Sequence, residues 1–129
     1  MSNKGILMSA GLMGFMAVVL GAFGAHALKA TLDPSALDSY VTGVRYQAWH
    51  SIALLAIGFS PENLPLKKRI FQCWLSGTFL FSGSIYLLSL DGLMGLNLSV
   101  LGPVTPIGGL LLIMGWFLIF LAGFKQARA

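Results

Sequence analysis

Charge is scarce in this chain, and its placement divides the sequence into four long uncharged runs. Asp, Glu, Lys and Arg make up 9% of the 129 residues, against roughly a quarter in soluble domains. The runs are 24 residues between Lys4 and Lys29, 16 between Arg45 and Glu62, 21 between Arg69 and Asp91, and 33 between Asp91 and Lys125. An apolar run of about 18 residues is long enough to cross a bilayer as a helix. The expected fold is therefore all-α: a polytopic membrane protein, a four-transmembrane-helix bundle with an interfacial or re-entrant segment before the last helix. Residues 1–129 form a single integral membrane domain with almost no soluble part.

The formal net charge of +4 does not point to nucleic acid. The eight Lys and Arg residues form no basic stripe interleaved with aromatics, as a nucleic-acid surface requires. They gather at helix ends, where positive charge sets membrane orientation. A single cysteine, Cys73, leaves no intrachain disulfide and no multi-cysteine metal site, and reads as a small apolar packing residue. Residues 1–28 mimic a secretion signal, with Lys4 as the basic start and Ala25-His26-Ala27 as a small-x-small site. Their apolar stretch is too long for a signal core of about 7–15 residues, so it is read as a retained helix.

Four spans would put Lys4, Lys67, Lys68, Arg69, Lys125 and Arg128 on one side. Lys29 and Arg45, with Asp33, Asp38 and Asp91, would lie on the other. Six basic residues against two predicts that both termini are cytoplasmic. The run Lys67-Lys68-Arg69, in a short turn after Pro61 and Pro65, is read chiefly as a topology signal, with contact to anionic headgroups as the alternative.

The first helix is expected over about residues 5–28. Its Ala10, Gly14, Ala17, Gly21 and Ala25 recur at spacings of three and four and share a face, which lets a neighbour approach closely. The second uncharged run alone would rise about 24 Å, short of the roughly 30 Å hydrocarbon core. That helix must start earlier and carry Arg45 with it. Asp33 can cap it and Pro34 suits its first position, giving a helix over about 33–59 whose first two turns stand at the outer interface. The third is expected over about 70–90, ending at the Asp91-Gly92 turn. The last run would be about 50 Å long as one helix, so Gly102-Pro103-Val104-Thr105-Pro106 must break it. Thr105 is expected as the N-cap and Pro106 as the first residue of a fourth helix over about 106–124. The stretch 93–101 is expected in the outer interface or dipping back between helices, where irregular backbone needs protein cover.

No enzyme signature stands in the sequence: no phosphate-binding glycine loop, no nucleophile elbow, no pair of intramembrane carboxylates. His26 and His50, the two histidines, are too few for a zinc site without Cys or carboxylate help. A haem is disfavoured because His26 would lie near the outer end of its helix and His50 near the midplane. Neither a metal nor a cofactor is expected. The stronger signal is positional. His26, Arg45, Tyr46, Tyr86 and Thr105 fall in the outer half of the spans, with Asp91 at the outer end of the third helix. Gly43, Tyr46, Gln47 and His50 share a face of the second helix. Ionisable groups in a membrane are costly and normally face the bundle interior or a wet cavity. The candidate binding cluster is therefore His26, Arg45, Tyr46, Gln47, His50, Tyr86, Asp91 and Thr105, with His50 as a proton-responsive group. In the alternative these groups satisfy one another and Arg45 snorkels to the headgroups. Gly14, Gly21, Gly24, Gly83, Gly108 and Gly109 are the candidate helix-packing positions.

These residues also carry a resemblance. Gly21-Ala-Phe-Gly-Ala-His-Ala-Leu-Lys29, Tyr46-Gln47 with His50, Gly77-Thr-Phe-Leu-Phe-Ser-Gly-Ser-Ile-Tyr86, Leu101-Gly-Pro-Val-Thr-Pro-Ile-Gly-Gly109 and Gly115-Trp116 resemble, in order, the blocks of the family known as domain of unknown function 423. Eukaryotic transmembrane protein 256 is a member. Tyr40 stands where that family leads one to expect Trp, and Ser51 where it leads one to expect Ala. The resemblance implies a small multi-helix membrane protein of the bacterial inner membrane and no particular activity, substrate or cofactor.

Three functions are open. The leading one is association through helices, with a second copy or a larger membrane complex. The second is a small oligomeric transporter or channel with an outward-facing polar pocket, although no carboxylate lies within a span to couple substrate to protons. The third is a protein that handles lipid or quinone. Membrane lipid is the expected surrounding partner. The sharpest structural expectation concerns Arg45: it should face the bundle interior and bond to carbonyls of the segment before Pro106, with His26 nearby.

Overall fold

The computed structural model describes residues 2–126, and in it each long uncharged run lies largely within a helix. α1 spans Asn3–His26, α2 Pro34–Phe59, α3 Lys67–Leu90 and α4 Val104–Gln126. Three stretches, formed around α1, α3 and α4, are long and apolar enough to cross a membrane. α2 has the length, 26 residues, but carries Asp38 and Arg45. Its start follows the sequence: the Asp33 carboxylate accepts the N–H groups of Ser35 and Ala36 at 2.9 and 3.1 Å, and Pro34 opens the first turn, where its missing N–H leaves no bond unmade.

Other boundaries move. α1 ends at His26, two residues early, and a short 3-10 turn covers Leu28–Ala30. α4 begins at Val104, so Thr105 is not its cap. Pro106 falls instead inside the first turn, where no N–H is needed. Between α3 and α4 the chain turns, with Gly95 at φ 64°, and forms a 3-10 turn at Ser99–Leu101. Leu93, Met94, Leu96 and Val100 along it are exposed, so the helices do not cover this segment.

α3 starts one turn earlier than expected because Lys67 is used for structure. Leu66 adopts a left-handed conformation, φ 62°, and the Lys67 side chain folds inward until it is 7% exposed. Its ammonium donates to Asn3 Oδ1 at 2.6 Å, to the Ser60 carbonyl at 2.8 Å and to the Pro61 carbonyl at 3.2 Å. All three of its donors are engaged, and the start of α1 is tied to the end of α2.

Small residues set the packing. Along the antiparallel α1–α2 pair, Gly24 faces Tyr40, Gly21 faces Val44, Gly14 faces Ser51 and Gly58 faces Leu7. Along α3–α4, Gly108 lies against the backbone of Phe81, Gly77 against Leu112 and Gly115 against Trp74. The close pairings are α1–α2, α3–α4 and, less extensively, α2–α3. The molecule is thus two tight helical hairpins joined along one seam. Ile6, Leu54, Ile57, Ile70 and Trp74 form the apolar core toward the end that holds Asn3 and Lys67.

Candidate functional site

Buried polar groups from both helices lie along the α2–α3 seam, and those of α2 fall at helical spacing. Tyr40, Gly43, Gln47 and His50 are buried on one face, with Tyr46 half-buried beside them. At Gly43 the absence of a side chain admits α3: the Ser82 hydroxyl donates to the Gly43 carbonyl at 2.7 Å, and an added Cβ would meet the Tyr86 ring at 2.8 Å. One turn on, Gln47 joins three helices. Its amide donates to the Met13 carbonyl of α1 at 2.9 Å, and its Oε1 accepts the Tyr86 hydroxyl of α3 at 2.8 Å. Tyr40 packs its ring 5.2 Å from that of Tyr86 and donates to the Leu20 carbonyl at 2.8 Å.

His50 is buried in the seam, 3% exposed. Its Nε2 lies 3.1 Å from the indole nitrogen of Trp116 on α4. An indole N–H can only donate, so Nε2 accepts and the ring proton sits on Nδ1. Nδ1 is 2.7 Å from the Tyr46 carbonyl, which takes that proton as its bond. The neutral ring is fully satisfied. A second proton would set N–H against N–H, so the proton-responsive role expected for His50 does not fit this arrangement. Trp74 and Trp116 both meet the His50 ring edge-on, with centroids 6.1 and 6.0 Å away.

The candidate residues divide into three groups. Tyr46, Gln47, His50 and Tyr86 come together in the seam as just described. Asp91 and Thr105 lie at its far end: Asp91 Oδ2 accepts the Leu98 N–H at 3.4 Å, and the Thr105 and Ser84 hydroxyls share a bond of 2.6 Å. His26 and Arg45 stand apart, exposed on α1 and α2. The Arg45 expectation is therefore overturned. At about 100° per residue, position 45 lies some 200° round the helix from Gly43 and from Gln47, on the face opposite the seam. Position 26 is displaced from the buried Gly24 in the same way. Of the packing glycines, Gly14, Gly21, Gly24, Gly108 and Gly109 meet a neighbouring helix, whereas nothing lies within 4 Å of a Cβ built on Gly83.

Sequence reasoning missed Ser82, Trp74 and Trp116 as polar or aromatic parts of the seam, and Lys67 as the tie at the end near Asn3. Tyr40 is likewise absent from the candidate residues. A usable signal existed for it, since Tyr40, Gly43, Gln47 and His50 follow spacings of three and four.

Four packed helices, three of them both long and apolar enough to cross a membrane, with several buried polar side chains bonded between helices, define a small helical membrane protein. The chain belongs to the DUF423 family, described as protein of unknown function, whose model matches residues 20–109. It is 39% identical over 127 residues to a UPF0382 membrane protein of Haemophilus influenzae, covering 98% of each chain. It is 35% identical over 133 residues to the UPF0382 inner membrane protein YgdD of Escherichia coli K12, covering 99% of this chain and 95% of that one. The UPF0382 membrane protein YwdK of Bacillus subtilis is 37% identical over 113 residues, with 85% and 88% covered. No solved structure matches.

Proposed function

We propose that the protein works in the inner membrane by helix-mediated association, with a second copy or a larger membrane complex. α2 is then a fourth span, the 91–103 segment rests in the outer interface, and both termini are cytoplasmic. The register of α1 against α2 supports the fourth span: Gly24 to Tyr40 at one end and Leu7 to Gly58 at the other keep the two helices at one depth. The E. coli relative is named an inner membrane protein.

One observation carries the association. Arg45 is exposed twelve residues into α2, level with Leu20 and Gly21 of a membrane-crossing helix. An Arg facing hydrocarbon costs up to about 3 kcal/mol at a helix centre and less toward the interface, and acceptors on a partner would remove that cost. Beside it runs a shallow groove of about 430 Å³ lined by Gly11, Gly14, Ala17, Ala48 and Ser51, small enough for a second helix to approach closely. The test is particle size after extraction into lipid nanodiscs without detergent. Wild type is expected to be larger than a single chain, and Arg45→Leu to be folded but single. A wild type that is monomeric with nothing co-purifying would end this reading.

A second reading draws on a different surface. Tyr46, Trp49, His50, Phe81 and Trp116 line a groove of about 680 Å³ between α2 and α4, which suits a flat lipophilic ring and supports quinone handling. Ubiquinone or menaquinone retained in stoichiometric amount by the purified protein, and lost in Trp116→Ala, is its test. The transporter reading gains less support, because Gln47 is bonded to Tyr86 and His50 to Trp116, rather than either facing an open path.

A further inference from the structure

Basic side chains gather in one place at the end of the molecule that holds Asn3. A cleft of about 560 Å³ lies there between the start of α3, the turn before it and the end of α4, and Lys67, Lys68, Arg69 and Lys125 all line it. Glu62 is the one carboxylate among the described residues of its wall, so four cations against one acid leave three positive charges in excess. Lys67 spends its ammonium on Asn3, Ser60 and Pro61, whereas Lys68, Arg69 and Lys125 are exposed. The register of the two helices brings these three to one depth. Phe81 lies against Gly108, Gly77 against Leu112 and Trp74 against Gly115, so each step back along α3 matches an equal step forward along α4. Six residues back from Trp74 is Lys68. Six residues on from Gly115 is Leu121, one helical turn from Lys125, or about 6 Å along the axis. The charges also oppose the helix they sit on. α3 opens on Lys67, Lys68 and Arg69 with no acidic residue in its first turn and no side-chain cap, and cations at the positive end of a helix dipole are unfavourable. An anion between the two helices would offset both the mutual repulsion and the dipole.

We propose that this cleft holds the phosphate headgroup of an anionic phospholipid. Lysine and arginine donors form short, charge-assisted bonds to phosphate oxygens, and here they come from two helices rather than one. The same wall contains half-buried Leu64 and Leu66, which give the glycerol and the first acyl carbons an apolar seat that a free anion would not use. α3 and α4 both belong to stretches long and apolar enough to cross a membrane, so their ends stand where headgroups lie. Three positive charges in excess select a lipid of net negative charge over a zwitterionic one. The inference is independent of what covers Arg45 and of which leaflet this end faces.

The experiment compares phospholipids that differ in net charge. Protein in nanodiscs of mixed phosphatidylglycerol and phosphatidylcholine, both leaflets alike, is stripped gently and its retained lipid weighed by native mass spectrometry. Phosphatidylglycerol is expected to be enriched over its share of the bilayer. Lys68→Gln, Arg69→Gln and Lys125→Gln should each lower the ratio of retained phosphatidylglycerol to phosphatidylcholine about fivefold. Lys4 is exposed at the same end but does not line the cleft, so Lys4→Gln should leave the ratio unchanged. All four side chains are exposed, and the variants should unfold as wild type once delipidated. Delipidated wild type is separately followed by thermal unfolding. Added phosphatidylglycerol should raise its unfolding temperature, and inorganic phosphate at the same concentration should not. No enrichment of phosphatidylglycerol overturns the proposal. So does a loss in Lys4→Gln as large as in the cleft variants, which would make the effect a diffuse field of the whole basic end. An equal rise with inorganic phosphate overturns the lipid as occupant and assigns a free anion.

Discussion

At the scale of single residues, the molecule is held together by what Gly108 lacks and by what Gln47 and His50 carry. A Cβ on Gly108 would run into the Phe81 backbone, which cannot turn aside as a side chain could. Gly108→Ala is expected to lower stability by about 1–3 kcal/mol through overpacking. Gly83→Ala meets nothing within 4 Å and should be neutral or slightly stabilising, since Ala favours the helix. Thermal unfolding of the two variants in one detergent makes the comparison, and equal losses would refute the packing argument. His50 gives a second prediction. Trp116→Phe keeps an aromatic ring but removes the N–H that Nε2 accepts, leaving a buried acceptor unpaired at a cost of about 1–3 kcal/mol. Nitrogen NMR of labelled histidine should find the proton on Nδ1 in wild type; a proton on Nε2 would contradict the bond assignment.

At the scale of helices, α2 organises the rest, and its beginning was the most legible part of the sequence. Too short an uncharged run, Asp33 and Pro34 together left one place for it to start. The glycines of α1 and α4 were legible too, because small residues in a membrane helix have few other uses. The side of α2 that turns inward was only half legible. Gly43, Gln47 and His50 share a face by spacing, but depth alone cannot tell which face Arg45 takes, and its neighbours' polarity misled. The starts of α3 and α4 were hidden for another reason. Lys67 reads as a loop charge until Asn3, far off in sequence, is seen to accept from it. Thr105 reads as a cap until Ser84 is seen to bond to it. Both are long-range partners that no local rule supplies. Lys67→Met should therefore loosen a specific place: the turn between α2 and α3 and the first turn of α1. Faster amide hydrogen exchange there, with the α3–α4 pair unchanged, is the expected result. Unchanged protection around Ser60 and Asn3 would mean the ammonium is dispensable.

At the scale of the whole molecule, two hairpins that each close on glycine meet along a seam that closes on hydrogen bonds. Within each hairpin, small residues let the helices come into contact. Between hairpins Gln47, Tyr86 and Ser82 supply directed bonds, each worth about 0.6 kcal/mol and up to about 1.7 in a membrane. The charge follows the same division. Lys4, Lys67, Lys68, Arg69 and Lys125, with Glu62, lie at the end where the hairpins begin and finish, and Asp33, Asp38 and Asp91, with Lys29, at the end where each hairpin turns. Arg128 and Ala129 lie outside the described residues. That asymmetry predicts an orientation with the basic end in the cytoplasm. In a Cys73→Ala background, a cysteine at exposed Ser35 should react with a membrane-impermeant thiol reagent in intact cells. One at exposed Ser2, or at exposed Glu62 in the α2–α3 turn, should react only after the membrane is opened. Labelling of Ser2 and Glu62 positions from outside would invert the molecule. If all three positions reacted alike in intact cells, the fourth span would fail, because only a crossing by α2 puts Ser35 and Glu62 on opposite sides.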